Sequence, residues 1–178
     1  MAAPRIMRVL EPKTSGGFQR FSQKFSRLWL LALAAIPLLA QGPATQFVSL
    51  EPTASVAAKR GATVEIPLRL TIRQGYHINS NTPAEDYLIP TVLLWDSNQA
   101  LMAKSVTYPK GEAVKYDFSE KPLQVYSGVI TLVSRFAVPT DAPRGPAALN
   151  GKFRYQACND KMCFPPRTLP VTINVAVQ

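Results

Sequence analysis

The sequence predicts an all-β fold, an antiparallel β-sandwich preceded by a signal peptide. Three observations predict the sandwich. Apolar and polar residues alternate with a period of two in several stretches after residue 45. Turn-forming residues separate those stretches. Sixteen prolines run from Pro4 to Pro170 and leave little room for long helices, because proline lacks an amide donor and clashes with the preceding turn. The 178 residues are 47% hydrophobic and 17% charged, which is enough apolar material to bury one core.

The export signal comes first along the chain. Leu28 to Ala40 reads LWLLALAAIPLLA, an uncharged apolar run of 13 residues behind a basic stretch. A membrane-spanning helix needs about 20 apolar residues, whereas the core of a signal peptide needs about 7 to 15, with positive charge before it and small residues after it. Pro37 also interrupts the run near its end. Cleavage is expected after Ala40 or Ala44, the second site having Gly42 at its third position back, and Met7 is an alternative start. The expected division is a signal peptide over residues 1–44 and one domain over residues 45–178. The other reading of the same segment is an uncleaved anchor, which would be the chain's only link to a membrane. A lipid-anchored form is not expected, since no cysteine lies near the cut.

Seven strands follow. Val64, Ile66, Leu68, Leu70 and Ile72 alternate with Glu65, Pro67, Arg69, Thr71 and Arg73, the pattern of a half-buried strand. Ile130, Leu132, Phe136 and Val138 make a second apolar face, interrupted by Ser134. Leu149, Phe153, Tyr155 and Ala157 make a third, and Leu169, Val171, Ile173, Val175 and Val177 a fourth. Shorter candidates lie near 46–51, 89–95 and 103–108, and Trp95 is expected in the core. The segment Pro139 to Pro146 reads as a loop too short to divide domains.

The formal net charge of +9 does not predict a nucleic-acid partner. Residues 1–27 alone carry +5, from six basic residues against Glu11, which leaves +4 for the rest. No basic run or basic–aromatic interleaving appears after residue 45, where a nucleic-acid footprint would have to lie.

Cys158 and Cys163 are the only cysteines, with four residues between them. In an exported chain such a pair is expected to be oxidised. Strand parity groups Cys158 with Lys152, Arg154 and Gln156 and so predicts a position on the polar face. Asn159 and Asp160 favour a turn that would bring the cysteines opposite each other. Two roles stay open on these residues alone. A staple closing so short a loop contributes only about 2 kcal/mol. A bridge on a wet face would instead be open to attack. The spacing differs from the CxxC of thioredoxin-like enzymes, and no helix N-terminus is expected nearby to lower a thiol pKa. The pair therefore suits a substrate disulfide attacked by a partner's thiolate.

The string Tyr155 to Pro166, YQACNDKMCFPP, resembles the signature of the N-terminal periplasmic domain of the thiol:disulfide interchange protein DsbD: Tyr155, Gln156 and Cys158, a short loop, then Cys163, Phe164, Pro165 and Pro166. GYHINSN at Gly75 to Asn81 and the Val-Tyr-x-Gly segment at Val125 to Gly128 resemble the same family. The resemblance implies an immunoglobulin-like sandwich, a periplasmic location and a thiol:disulfide oxidoreductase role. Electrons would come from a thioredoxin-like or membrane electron-transfer protein, pass through Cys158 and Cys163, and go to periplasmic client disulfides, cytochrome c maturation proteins among them. It further implies a mobile cap loop with an aromatic residue, matched by Phe118 with Tyr116 as the alternative. It also implies Cys163 as the cysteine that bonds to partners. This sequence departs from the family in having four residues between the cysteines where familiar members have five. It also stops after the first domain of the longer relatives, which makes a separate protein the expected reductant.

Rival readings attach to the same residues. One is a non-enzymatic exported interaction module whose disulfide is purely structural. Another is a soft-metal site of Cys158, Met162, Cys163 and His77, since thiolate and thioether suit monovalent copper. No zinc spacing is present, and no cofactor or metal is expected. His77, the only histidine, is expected to be an ordinary hydrogen-bonded side chain, with metal binding and proton donation as its functional alternatives. The neighbouring acids Glu85 and Asp86, and Asp117 and Glu120, read as solvated. No hydrolase motif is visible.

Overall fold

The computed structural model describes residues 46–178, so the signal peptide expected over residues 1–44 lies outside the described residues. The described chain is all β. One sheet contains β1 (Val48–Leu50), β3 (Thr63–Ile72), β9 (Val129–Ala137) and β6 (Met102–Thr107), in the order β1-β3-β9-β6. A second contains β2 (Val56–Ala58), β12 (Arg167–Val177), β10 (Gly145–Tyr155) and β5 (Val92–Trp95), in the order β2-β12-β10-β5. Pairing is antiparallel except where β2 runs parallel to β12.

The long strands form where the alternation is cleanest. β3 pairs with β9 from Thr63↔Ala137 to Thr71↔Val129, and β10 pairs with β12 from Gly145↔Val177 to Tyr155↔Arg167. Their inward residues meet in one buried cluster: Ile66, Leu68, Leu70, Leu132 and Phe136 from the first sheet, and Leu149, Phe153, Val171, Ile173 and Val175 from the second. At about 1.5–3 kcal/mol per fully buried side chain, this shared face holds the sandwich together. Ser134, which breaks the apolar alternation, is buried and accepts a hydrogen bond from Trp95 Nε1 at 2.9 Å across the two sheets. Trp95 lies against the core edge-on to Phe136 and is half-buried. Gly151 faces Trp95 in the ladder, and a Cβ there would sit 2.6 Å from the Leu94 carbonyl oxygen and 2.8 Å from the indole, so only glycine fits.

All seven expected strands are present, but there are five more. Four of the twelve described strands build a third sheet, in the order β11-β4-β8-β7: β11 (Ala157–Cys158), β4 (His77–Asn79), β8 (Leu123–Tyr126) and β7 (Glu112–Val114). With β2 these strands are two to four residues long, too short to show a period. The expected strand over 149–157 is in fact two. β10 leaves the sandwich at Tyr155, and the chain re-pairs in the third sheet from Ala157.

Candidate functional site

The change of sheet at Gln156 builds the site. It resets the parity of the strand: Tyr155 is buried, and Ala157 and Cys158 are then both buried in succession. Cys158 is 0% exposed, which corrects the expectation that it lies on the polar face. Alternation continues only while a strand stays in one sheet, and here it does not.

The Gln156 side chain ties three segments at that switch. Its Oε1 accepts hydrogen bonds from Asn79 Nδ2 at 3.1 Å and from the Ile89 amide at 3.2 Å, while its Nε2 donates to the Phe164 carbonyl at 3.2 Å. The short strand β4, the segment after it and the residue following Cys163 are therefore fixed to one amide. Asn79 Nδ2 also donates to the Ile89 carbonyl at 3.0 Å. Phe164 is anchored in an aromatic group, 4.8 Å from Phe47 and 5.9 Å from Tyr76, with the Arg167 guanidinium over the Phe47 ring. Pro165 and Pro166 lead exposed from Phe164 into β12. Tyr155 is fully buried in the core, stacked 5.6 Å from Phe153.

Cys158 and Cys163 are bonded, with Cα atoms 3.9 Å apart in an isolated antiparallel bridge. The turn between them is organised by Asn159, as its type suggests. Its Oδ1 accepts from the Lys161 and Met162 amides, each at 2.9 Å, and its own amide donates to the Met162 carbonyl at 3.0 Å. The two halves of the cystine differ in access. Cys158 is enclosed, Cys163 is half-buried, and the neighbouring Met162 is 55% exposed.

On its other side Cys158 faces His77, its register partner in the antiparallel β11–β4 pair. His77 is 4% exposed and its Nε2 has no hydrogen-bond partner, so it is not the ordinary hydrogen-bonded side chain the sequence suggests. Burial lowers its pKa from 6.5 to about 4, and the nearby Asp160 carboxylate raises it only in part. Tyr116 stacks on the imidazole at 4.3 Å and 17°, and Phe118 stacks on Tyr116 at 5.4 Å and 14°. A column of three rings thus runs outward from beside the cystine to Phe118, which is 41% exposed. Burial, with Asp160 and Glu112, raises the Tyr116 pKa.

The loop carrying the outer rings lies between β7 and β8. Ser119 closes it, its amide donating to the Tyr116 carbonyl at 3.1 Å and its Oγ to the Lys121 carbonyl at 2.5 Å, and Lys115 Nζ donates to the Ser119 carbonyl. Lys121 pairs with Glu85 at 3.2 Å, so that acid is engaged and not simply solvated. The sequence missed the hydrogen bonds of Asn79, whose only signal was membership of the GYHINSN segment, whereas His77 stood out as the only histidine but without its place opposite Cys158. Among the described residues, no three His, Cys, Asp or Glu side chains are grouped as metal ligands would be.

The family described as thiol:disulfide interchange protein DsbD, N-terminal, matches residues 44–174. Among solved structures the chain is similar to the reduced N-terminal domain of DsbD from Neisseria meningitidis, with 21% identity and a TM-score of 0.43 over 62% of this chain and 76% of that one. It is also similar to the N-terminal periplasmic domain of ScsB from Proteus mirabilis, with 14% identity and a TM-score of 0.45 over 72% of this chain and 44% of that one. No curated protein matches the chain.

Proposed function

The chain belongs to the family of DsbD N-terminal domains, and from that premise we propose that it is an electron relay, passing reducing equivalents from a thioredoxin-like or membrane thiol reductant to client disulfides in the periplasm. Thiol–disulfide exchange is the chemistry of the family, and the bonded pair Cys158–Cys163 is present to carry it. The observation that carries the proposal is the asymmetry of that pair: one sulfur enclosed in the fold, the other beside an exposed methionine in a turn of four residues.

The steps follow from the asymmetry. A partner thiolate attacks the Cys163 sulfur, and the electron pair of the broken bond leaves on Cys158. The partner's second thiol then attacks its own sulfur in the mixed disulfide, freeing Cys163 and leaving the domain as a dithiol. In the second half Cys163 attacks a client disulfide, and Cys158 displaces the client by closing the bridge again. The client gains the two electrons. The exposed Phe118 end of the loop acts as a cap that swings away when a partner docks. Residues 1–44 act as the export signal.

The competing reading, an exported interaction module with a structural disulfide, draws on the complete burial of Cys158. Replacing both cysteines with Ala separates the two. The relay predicts that disulfide exchange with a reduced thioredoxin-like protein disappears while the β-sheet circular dichroism persists, at a stability cost of about 2 kcal/mol for so short a loop. Exchange that survives, or a variant that no longer folds, would favour the interaction module.

A further inference from the structure

We propose that His77 is the base for Cys158: it takes the proton from the Cys158 thiol when that thiol closes the disulfide and releases a partner from Cys163. The inference deepens the relay reading and rests on it.

The need for a base follows from where Cys158 lies. Only a thiolate attacks a disulfide, and a thiol in enclosed, apolar surroundings holds its proton more firmly than one in water. Cys163 is half-buried and can give its proton to solvent, whereas Cys158 is 0% exposed and cannot. The partner it faces is His77. The two are directly opposed in the β11–β4 pair, so their side chains share a face with Cβ atoms about 4.5–5.5 Å apart. His77 Nε2 is buried and unpaired, a costly arrangement for a polar atom that calls for an explanation. Tyr116 stacked on the ring holds its plane in place and keeps it dry.

The protonation state suits the task. The titratable and charged groups around the imidazole are Cys158 across the ladder, Tyr116 on its face and Asp160 in the cystine turn. With its pKa lowered to about 4, the ring is neutral near pH 7, and its unpaired nitrogen can accept a proton. A thiolate forming on Cys158 places a new anion beside the ring and stabilises the imidazolium, so each group favours ionisation of the other.

An aromatic disulfide, 5,5′-dithiobis(2-nitrobenzoate), resolves the steps, because each one releases a coloured thiolate. In the first, Cys163 attacks the reagent, forms a mixed disulfide and releases one aromatic thiolate. In the second, His77 takes the Cys158 proton and the Cys158 thiolate attacks the Cys163 sulfur. The bond to the aromatic group breaks, and the second aromatic thiolate leaves with the electron pair. The imidazolium then returns its proton to water. The protein loses two electrons and two protons, and the reagent gains the two electrons.

Stopped-flow absorbance on the reduced protein and its His77→Phe variant reads both steps. Phenylalanine keeps a ring under Tyr116 but has no basic nitrogen, so a merely structural role would be retained. The expected result is an unchanged first release and a second release slowed about a hundredfold, in the usual range for general bases. Equal second rates would overturn the proposal. If the Phe variant does not fold, thiolate absorbance against pH in Cys163→Ser and Cys163→Ser/His77→Gln replaces it. Several-fold less Cys158 thiolate in the Gln variant near neutral pH is expected, and equal thiolate would overturn the proposal. A reduced parent protein with no first release would overturn the exchange reading itself, a failure distinct from that of the base.

Discussion

The β10–β12 ladder and the third sheet are joined at Gln156 but are held together by different forces. The ladder runs eleven residue pairs without a break and buries Leu149, Phe153, Val171, Ile173, Val175 and Val177 along one face. The third sheet has strands of two to four residues; Ile78, Tyr126 and Ala157 join it to the sandwich core, and its own separate cluster of buried apolar residues is Leu88, Leu123 and Val125. What the third sheet lacks in area it replaces with side-chain amides: Gln156 to Asn79, Ile89 and Phe164, and Asn79 to Ile89. Each such bond is worth about 1 kcal/mol net, against about 1.5–3 kcal/mol for each buried apolar side chain of the ladder. The difference suits a division of labour. On the relay reading, the sandwich fixes Tyr155 and Arg167 at one end while the sheet around the cystine is the part expected to open for a partner, as functional segments commonly do.

The largest effect that would sharpen this contrast is on the sandwich. Phe153→Ala removes a ring that is 0% exposed and is expected to destabilise the domain by about 3–5 kcal/mol in urea unfolding. The potential of the cystine in the folded fraction should hardly move. A cost under about 1 kcal/mol, as at a site that collapses or was never packed, would break the contrast.

The next effect is a pH dependence carried by the third sheet. The folded state holds His77 near pKa 4, below the ordinary 6.5, so folding releases a proton in that window. The contribution of His77 to stability is complete above pH 6.5, is lost as pH falls towards 4, and is flat below it. The full loss is at most about 3 kcal/mol, at about 1.36 kcal/mol per pKa unit, and solvent screening reduces it. Unfolding midpoints against pH should show this slope in the parent and lose it in His77→Gln. The same slope in both would place the titrating group elsewhere.

The smallest effect concerns the cap. Phe118 is 41% exposed, so Phe118→Ala should cost less than about 1 kcal/mol of stability. It should nevertheless speed reduction of the cystine by a small dithiol several-fold, read by alkylation and mass spectrometry. An unchanged rate would remove Phe118 from the cap.

Legibility in the sequence followed the same boundary. The four long strands were readable because each has one wet face and one dry face, which writes a period of two into Val64–Ile72 and Leu169–Val177. The third sheet was not, because β4 is buried at all three positions and leaves no alternation to read. The parity reading of Cys158 failed for a related reason, since it carried the register of β10 past the point where the chain changes sheets. The cysteine turn was legible from Asn159, whose side chain does what its type suggests. His77 was not, since no local pattern says that Cys158 will lie across from it. The resemblance in Tyr155 to Pro166 pointed to the bonded pair Cys158–Cys163, and the fold shows what Gln156 and Phe164 do beside it.

The central claim is that the cystine is a working exchange site and not a staple, and its reduction potential tests that most directly. Equilibrating the protein in thiol buffers and weighing the alkylated forms gives the value. The relay account predicts about −180 to −270 mV, the span of known exchange proteins, whereas a value below about −300 mV would mark a structural disulfide and contradict it.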